Sequence, residues 1–154
     1  MDNQIETILK ENLTWEQALY EMNEELSSIL YAIELKNAYS GIYRMTGSLQ
    51  EEGDNNEPLQ VFKDKLVVPI DEFTCRMFLG AENELPENIP SRTLMFTVQS
   101  DNSIKITENS TVSDLGESKY DPEKEFITLN YSYMVSEKRY EIREKLIRLK
   151  DDML

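Results

Sequence analysis

The 154-residue chain contains no histidine, and this absence restricts the chemistry that its side chains can perform. Without imidazole, neither a Ser-His-Asp nor a Cys-His arrangement can be built, and most transition-metal sites lose their usual ligand. The usual general base near neutral pH is also missing. The single cysteine, Cys75, lies between Phe73 and Phe78, which predicts a buried, inert thiol and excludes an internal disulfide framework.

Glycines and acidic residues provide no alternative site. The five glycines are scattered, so no phosphate-binding loop can be built from them. Acidic clusters such as residues 51–54 and 151–152 lack the ligand spacing of a calcium loop and are typical of solvated surface. We therefore predict no catalytic, cofactor-binding or metal-ligating residue, and an enzyme that uses carboxylates alone is the least favoured class.

The charge is strongly acidic, with 16 Lys and Arg against 30 Asp and Glu, a net charge of −14. Such a surface repels nucleic acid and anionic lipid, and it favours a basic protein partner. The excess is concentrated in residues 1–58, where 12 acids face 3 bases. The predicted interaction surface is the glutamate-rich face of the N-terminal segment, with Glu16, Glu21, Glu24 and Glu25.

Tyrosines are the second set of candidate interaction residues. Tyr39, Tyr43, Tyr131 and Tyr133 all fall on predicted strands. Exposed together, their rings could stack against sugar rings, whereas dispersed they are ordinary half-buried strand residues. Both alternatives remain open at this point.

The N-terminal segment predicts an amphipathic helix over about 15–34. Its apolar residues recur at alternating steps of three and four, and Thr14 with Gln17 can form a capping box. The expected anchors are Trp15, Leu19, Met22, Leu26, Ile29 and Ile33. The helix either packs on the protein's own sheet or pairs with a partner helix, which would allow a homo-oligomer.

The remaining chain predicts strands. Alternating patterns occupy 39–47, 61–70, 73–79, 92–99, 103–108 and 126–133, separated by loops at 51–58 and 81–91 and a polar connection at 109–118. Local propensity favours a helix over 137–153. The predicted fold is α+β: one domain over 1–154, with an acidic helical segment (1–36) packed on a mostly antiparallel β-rich body (37–149), a sandwich or open barrel of six to eight strands. The predicted core of the body contains Val61, Val67, Phe73, Phe78, Leu94, Phe96, Ile104, Ile106, Phe126 and Leu129.

Two stretches resemble a known domain. NAYSGIYRMTG (37–47) is similar to the opening strand, and residues 119–149, with Tyr120, Asp121, Pro122, Phe126, Leu129, Asn130, Tyr131 and Tyr133, to the closing hairpin, of a β-rich C-terminal domain. That domain occurs in surface lipoproteins of gut Bacteroidota encoded near glycan-uptake systems. The resemblance implies an antiparallel sandwich or calycin-like barrel, no enzymatic activity, and a strand at 139–148.

Two functions follow as hypotheses. The first is a non-enzymatic binding module for a protein or a glycan. The second is a small acidic inhibitor, of the kind phages and plasmids encode, that mimics nucleic-acid charge and blocks a basic partner. No signal peptide or transmembrane segment is recognised, which predicts a cytoplasmic protein, or a surface or periplasmic one if the chain is a mature lipoprotein fragment.

Overall fold

The computed structural model describes residues 36–150, which belong to a compact unit that begins at Lys36. Nine strands account for its regular structure: β1 (Gly41–Glu51), β2 (Leu59–Pro69), β3 (Thr74–Phe78), β4 (Thr93–Val98), β5 (Ile104–Ile106), β6 (Val112–Asp114), β7 (Lys119–Asp121), β8 (Phe126–Val135) and β9 (Lys138–Arg148). A single turn of 3-10 helix covers Pro86–Asn88.

The strands form one antiparallel sheet in the order β5-β4-β3-β2-β1-β9-β8-β6, with β7 also paired to β8. Its two ends meet where the Ile104 N–H donates to the Ser118 carbonyl (2.9 Å) and the Tyr120 N–H donates to the Asn102 carbonyl (2.8 Å). These bonds flank a bridge between Ser103 and Lys119. The sheet is therefore a nearly closed barrel, which leaves few unpaired strand edges.

The predicted α+β class is wrong for the part of the chain that the structure describes, because this part contains strands and no α-helix. The proposed helix over 15–34 and its anchors lie outside the described residues, as do Glu16, Glu21, Glu24 and Glu25. The sheet has nine strands, one more than the largest number expected, since β6 lies inside the stretch interpreted as a polar connection.

Of the two alternatives for the C-terminal stretch, residues 138–148 form the strand that the resemblance implies and not the helix that local propensity favours. β9 is a central strand whose two edges are paired, with β1 on one side and β8 on the other. Ile142, Glu144 and Leu146 alternate into the barrel. Pairing on both sides outweighs the helical preference of Glu, Lys and Leu, because propensity contributes only tenths of a kcal/mol per residue.

The core consists of the inward-facing residues of these strands. Six of the ten predicted body residues are buried: Val67, Leu94, Phe96, Ile104, Ile106 and Leu129. Val61, Phe78 and Phe126 are only half-buried, and Phe73 is 50% exposed. Phe73 precedes β3, in a turn where the Asp71 carboxylate accepts hydrogen bonds from the N–H groups of Phe73 and Thr74. Phe126 lies on the outer face because its neighbour Ile127 points inward.

The turn between β8 and β9 is conformationally strained. Val135 pairs with Lys138, and the two residues between them, Ser136 and Glu137, have φ of 52° and 66°. Two-residue turns of this kind favour Asn-Gly, because most L-residues resist positive φ. We expect the double variant Ser136→Asn/Glu137→Gly to raise the free energy of unfolding by about 1 kcal/mol, measured by urea denaturation.

Glu123→Gly is the matched control for this turn, because Glu123 is exposed and is not a positive-φ residue. Glycine there gains no relief of strain and adds freedom to the unfolded chain, so this variant should show no gain in stability. Equal stability changes in the two variants would contradict the interpretation.

Candidate functional site

The structure places the predicted tyrosines mainly inside the barrel. Tyr43 and Tyr131 are fully buried and Tyr133 is 3% exposed, so these three rings cannot stack on a ligand in this conformation. Tyr39 is half-buried and packs edge-on against Tyr120, with ring centroids 4.9 Å apart. Tyr131 and Tyr133 lie side by side in the core, with ring centroids 5.8 Å apart.

A charged network occupies the barrel interior. Lys65 on β2 donates from Nζ to Glu144 Oε2 on β9 (3.0 Å), and the Tyr131 hydroxyl on β8 donates to Glu144 Oε1 (2.6 Å). The Gly80 N–H in turn donates to the Tyr131 oxygen (2.9 Å). The side chains of Lys65 and Glu144 are completely inaccessible to solvent. The network joins three strands and one loop within the core.

Two glycines make room for this network. Gly47 faces inward opposite Glu144, and a Cβ at Gly47 would lie 3.0 Å from the side chain of Val61 and 3.4 Å from that of Glu144. Gly80 has φ of +45°, and a Cβ there would lie 2.5 Å from the Tyr133 hydroxyl. Both positions therefore require glycine for close packing, and Gly80 requires it for backbone conformation as well.

Burial dominates the titration of these groups. It lowers the pKa of Lys65, which the carboxylate of Glu144 opposes. It raises the pKa of Tyr131 well above its ordinary value, and the negative charge of Glu144 raises that pKa further. Since no ligand can reach the network from solvent, its role is to fix the register of β2, β8 and β9.

A groove on the outer face of the sheet is the accessible candidate site. It consists of two adjoining lobes of about 210 and 410 Å³, which share Glu117, Asn130 and Arg143. The larger lobe has the size of a small-molecule site. The remaining lining residues come from β1, from the loop before β7, from outward positions of β7, β8 and β9, and from the buried Ile142 of β9: Ser48, Gln50, Leu115, Ser118, Lys119, Thr128, Glu141 and Ile142.

Asn130 organises the groove. Its backbone N–H donates to the Ser118 hydroxyl (2.9 Å), and its side-chain amide donates to the Gly116 carbonyl (3.1 Å), which holds the 115–118 loop over β8. Its Oδ1 accepts from Arg143 Nε (3.0 Å). Arg143 is thereby oriented, while its two terminal nitrogens have no hydrogen-bond partner within residues 36–150. An oriented guanidinium with free donors is suited to binding oxygen atoms of a ligand.

Among the described residues that line the groove, the positive and negative charges balance. Arg143 and Lys119 are opposed by Glu117 and Glu141, and Ser48, Gln50 and Thr128 add neutral donors and acceptors. A balanced set of donors and acceptors favours a neutral ligand with several hydroxyl groups over an anion. Among the described residues that line the groove none is aromatic, so they offer no ring for stacking against a ligand.

The described residues contain no arrangement suited to metal binding, since no three His, Cys, Asp or Glu side chains cluster there. Cys75 is buried, as predicted, and burial raises the pKa of its thiol, which disfavours the reactive thiolate. Within the same part of the chain, no helix has the length and hydropathy needed to cross a bilayer.

Most of the acidic excess also lies outside this part of the chain. Residues 36–150 contain 20 acidic and 15 basic residues, a net charge of −5 of the total −14. The hypothesis of a nucleic-acid mimic depends on the glutamates at 16–25, so it stays a prediction.

Sequence reasoning identified neither Arg143 nor the Lys65–Glu144 pair. The groove combines residues from β1, β8, β9 and a loop, which are separated by up to 95 positions from Ser48 to Arg143. Asn130 was singled out only within the resemblance. A usable signal was present in β9, where Glu144 occupies an inward position of an otherwise alternating strand.

Comparison with solved structures shows the same fold in larger Bacteroides proteins. A protein of unknown function from Bacteroides ovatus aligns with a TM-score of 0.53 at 14% identity, over 77% of this chain and 52% of that one. A multidomain protein from Bacteroides ovatus gives 0.53 at 14%, over 73% and 49%. An auxiliary nutrient binding protein from Bacteroides thetaiotaomicron gives 0.50 at 18%, over 72% and 46%. The chain spans about half the length of these structures. No curated protein matches it significantly.

The family of this chain is shown by a match to a protein-family model. Its description reads "-like, C-terminal", and it matches residues 27–147, more than half of the chain. The resemblance to a β-rich C-terminal domain of Bacteroidota proteins is thus confirmed. The chain belongs to this family of C-terminal domains.

Proposed function

We propose that this domain is a non-enzymatic binding module of a surface or periplasmic nutrient-uptake protein, and that its groove binds a neutral, hydroxyl-rich ligand such as a carbohydrate. The observation that carries the proposal is Arg143, which lines both lobes, is oriented by Asn130 and has terminal nitrogens without a hydrogen-bond partner within the described residues. The fold shared with an auxiliary nutrient binding protein supports the class of function.

The groove favours a sugar over other small molecules for a physical reason. A sugar presents hydroxyl groups that both donate and accept hydrogen bonds, which suits the mixed set Arg143, Glu141, Gln50 and Ser48. A hydrogen bond between a sugar hydroxyl and a charged side chain contributes about 1.5–3 kcal/mol to the interaction. The balanced charge disfavours phosphorylated ligands.

Calorimetric titration of the full chain with a panel of neutral oligosaccharides tests this. We expect Arg143→Ala to weaken binding at least tenfold, which corresponds to about 1.4 kcal/mol. Arg44→Ala is the matched control, because Arg44 lies on the outer face of β1, outside the groove, in an exposed ion pair with Asp64. Absence of binding to every oligosaccharide, or equal affinities for the two variants, would refute the proposal.

A further inference from the structure

The edge of β2 that faces β1 is paired from Leu59 to Val67, but most of the opposite edge is open. On that opposite side, β3 pairs with β2 only at Val68 and Pro69. Within residues 36–150, no strand therefore covers the opposite edge of β2 between Leu59 and Lys65.

The direction of the unpaired backbone groups follows from one hydrogen bond. The Leu66 N–H donates to the side-chain oxygen Oε1 of Glu84 (3.3 Å), so it points away from β1. Since backbone groups alternate between the two edges of a strand, the N–H and C=O groups of Gln60, Phe62 and Asp64 also point to the open side. The backbone groups of these three alternate residues span a length that is sufficient to pair with a short partner strand.

Side chains along this edge offer apolar contacts. Phe62 is 75% exposed, Leu59 64% and Leu66 48%, and Leu85 in the loop beside Glu84 is 45% exposed. Proteins usually protect an open edge with a proline, a bulge or an inward lysine. Here Pro58 and Pro69 lie only at its ends, and the inward Lys65 is held by Glu144 within the barrel, while Lys63 donates from Nζ to the Glu82 carbonyl.

The surrounding charge specifies the partner. Glu57 precedes the strand, and Glu84 and Glu87 lie on the loop that reaches Leu66, where Glu82 is already paired with Arg92. A second copy of this chain would bring the same acids together, with a net charge of −14 on each molecule. A segment that alternates apolar residues with Lys or Arg would complement both the apolar side chains and the carboxylates.

We propose that the open edge of β2 accepts, by strand addition, an extended basic segment of a partner protein. Backbone hydrogen bonds to Gln60, Phe62 and Asp64 would supply affinity, and Phe62 with the nearby glutamates would select the side chains. Gln60, Phe62 and Asp64 do not line the groove, although Ser48 of the groove is the cross-strand partner of Gln60.

The test uses the full chain and an eight-residue peptide of alternating Val and Lys. The control peptide carries N-methyl groups on the backbone nitrogens of alternate residues. These groups remove the N–H donors along one edge of the peptide without changing its charge. We expect the first peptide to bind at least tenfold more tightly and to slow amide exchange at Gln60, Phe62 and Asp64 while leaving exchange in β8 unchanged. Equal binding of both peptides, or no protection at these amides, would overturn the proposal.

Phe62→Pro separates edge pairing from general attraction. The variant removes an N–H that faces the open side, so pairing with β1 is kept while strand addition is blocked. We expect at least tenfold weaker binding, with Arg143→Ala binding the peptide normally. If circular dichroism shows that Phe62→Pro is unfolded, the wild-type exchange pattern decides. If these amides are protected from exchange without peptide, and the protection rises with protein concentration, a second copy of the chain occupies the edge and the proposal is refuted.

Discussion

Replacing Glu144 by Gln is expected to lower the free energy of unfolding by about 3–5 kcal/mol. The amide retains the shape of the carboxylate and can still accept the hydrogen bond from Tyr131, but it leaves Lys65 without a counter-charge. Lys65 is completely buried, so its ammonium group cannot recover hydration. Removing one member of a buried ion pair is costly because the other charge remains desolvated.

The double variant Lys65→Met/Glu144→Gln is the informative control. It removes both charges and fills the volume of the lysine stem, so most of the lost stability should return. Urea denaturation of the wild type, both single variants and the double variant gives the coupling energy directly. A cost below about 1 kcal/mol for Glu144→Gln would mean that Lys65 escapes to solvent, and the buried pair would then be wrong.

Alkaline pH should produce the second large effect. Burial raises the pKa of Tyr43, Tyr131 and Tyr133 above the ordinary value of 10.0. Above that pH the unfolded chain loses protons that the folded chain keeps, so stability falls as pH rises. Each phenol contributes a slope of about 1.4 kcal/mol per pH unit, and the three together about 4 kcal/mol.

Lys65 acts in the opposite direction. Its pKa is lowered from 10.5 in the folded state, so between its folded pKa and 10.5 the unfolded chain holds a proton that the folded chain has released. This raises stability with pH in that window and partly offsets the phenols near pH 10. We therefore expect the free energy of unfolding to fall with rising pH, and to fall more steeply once the pH exceeds 10.5.

Urea denaturation between pH 8 and pH 11.5 measures both effects. Tyr133→Phe should reduce the alkaline slope by the share of one phenol, about 1.4 kcal/mol per pH unit, because it removes none of the hydrogen bonds found within the described residues. The double variant Lys65→Met/Glu144→Gln lacks the lysine, so the rise of stability with pH that Lys65 causes below pH 10.5 should disappear. A stability that is constant up to pH 11.5 would show that these phenols are open to solvent.

Two features of the molecule could be read from residue types and spacing. The absence of histidine excludes the commonest catalytic arrangements regardless of fold. Alternation of apolar residues places β4, β5 and β8 correctly within a few residues, because strand side chains point to opposite faces with a period of two. The buried Cys75 follows from its apolar neighbours.

The tertiary structure decided which of two competing local preferences was realised. Residues 138–148 favour a helix in isolation, yet they form a central strand because β1 and β8 pair with both edges. Phe126 and Ile127 are equally apolar, and only the register with β9 places Ile127 inside. Lys65 and Glu144 are 79 positions apart, and barrel closure brings them to 3.0 Å.

The groove around Arg143 and the open edge of β2 depend on the same long-range pairing. Composition and spacing determined that the body is built from strands and lacks the common catalytic groups. The order of the strands determined which polar side chains meet and which edge remains free. Pairing between distant segments depends on the whole sheet and its closure, so neither surface is encoded in any single local stretch of residues.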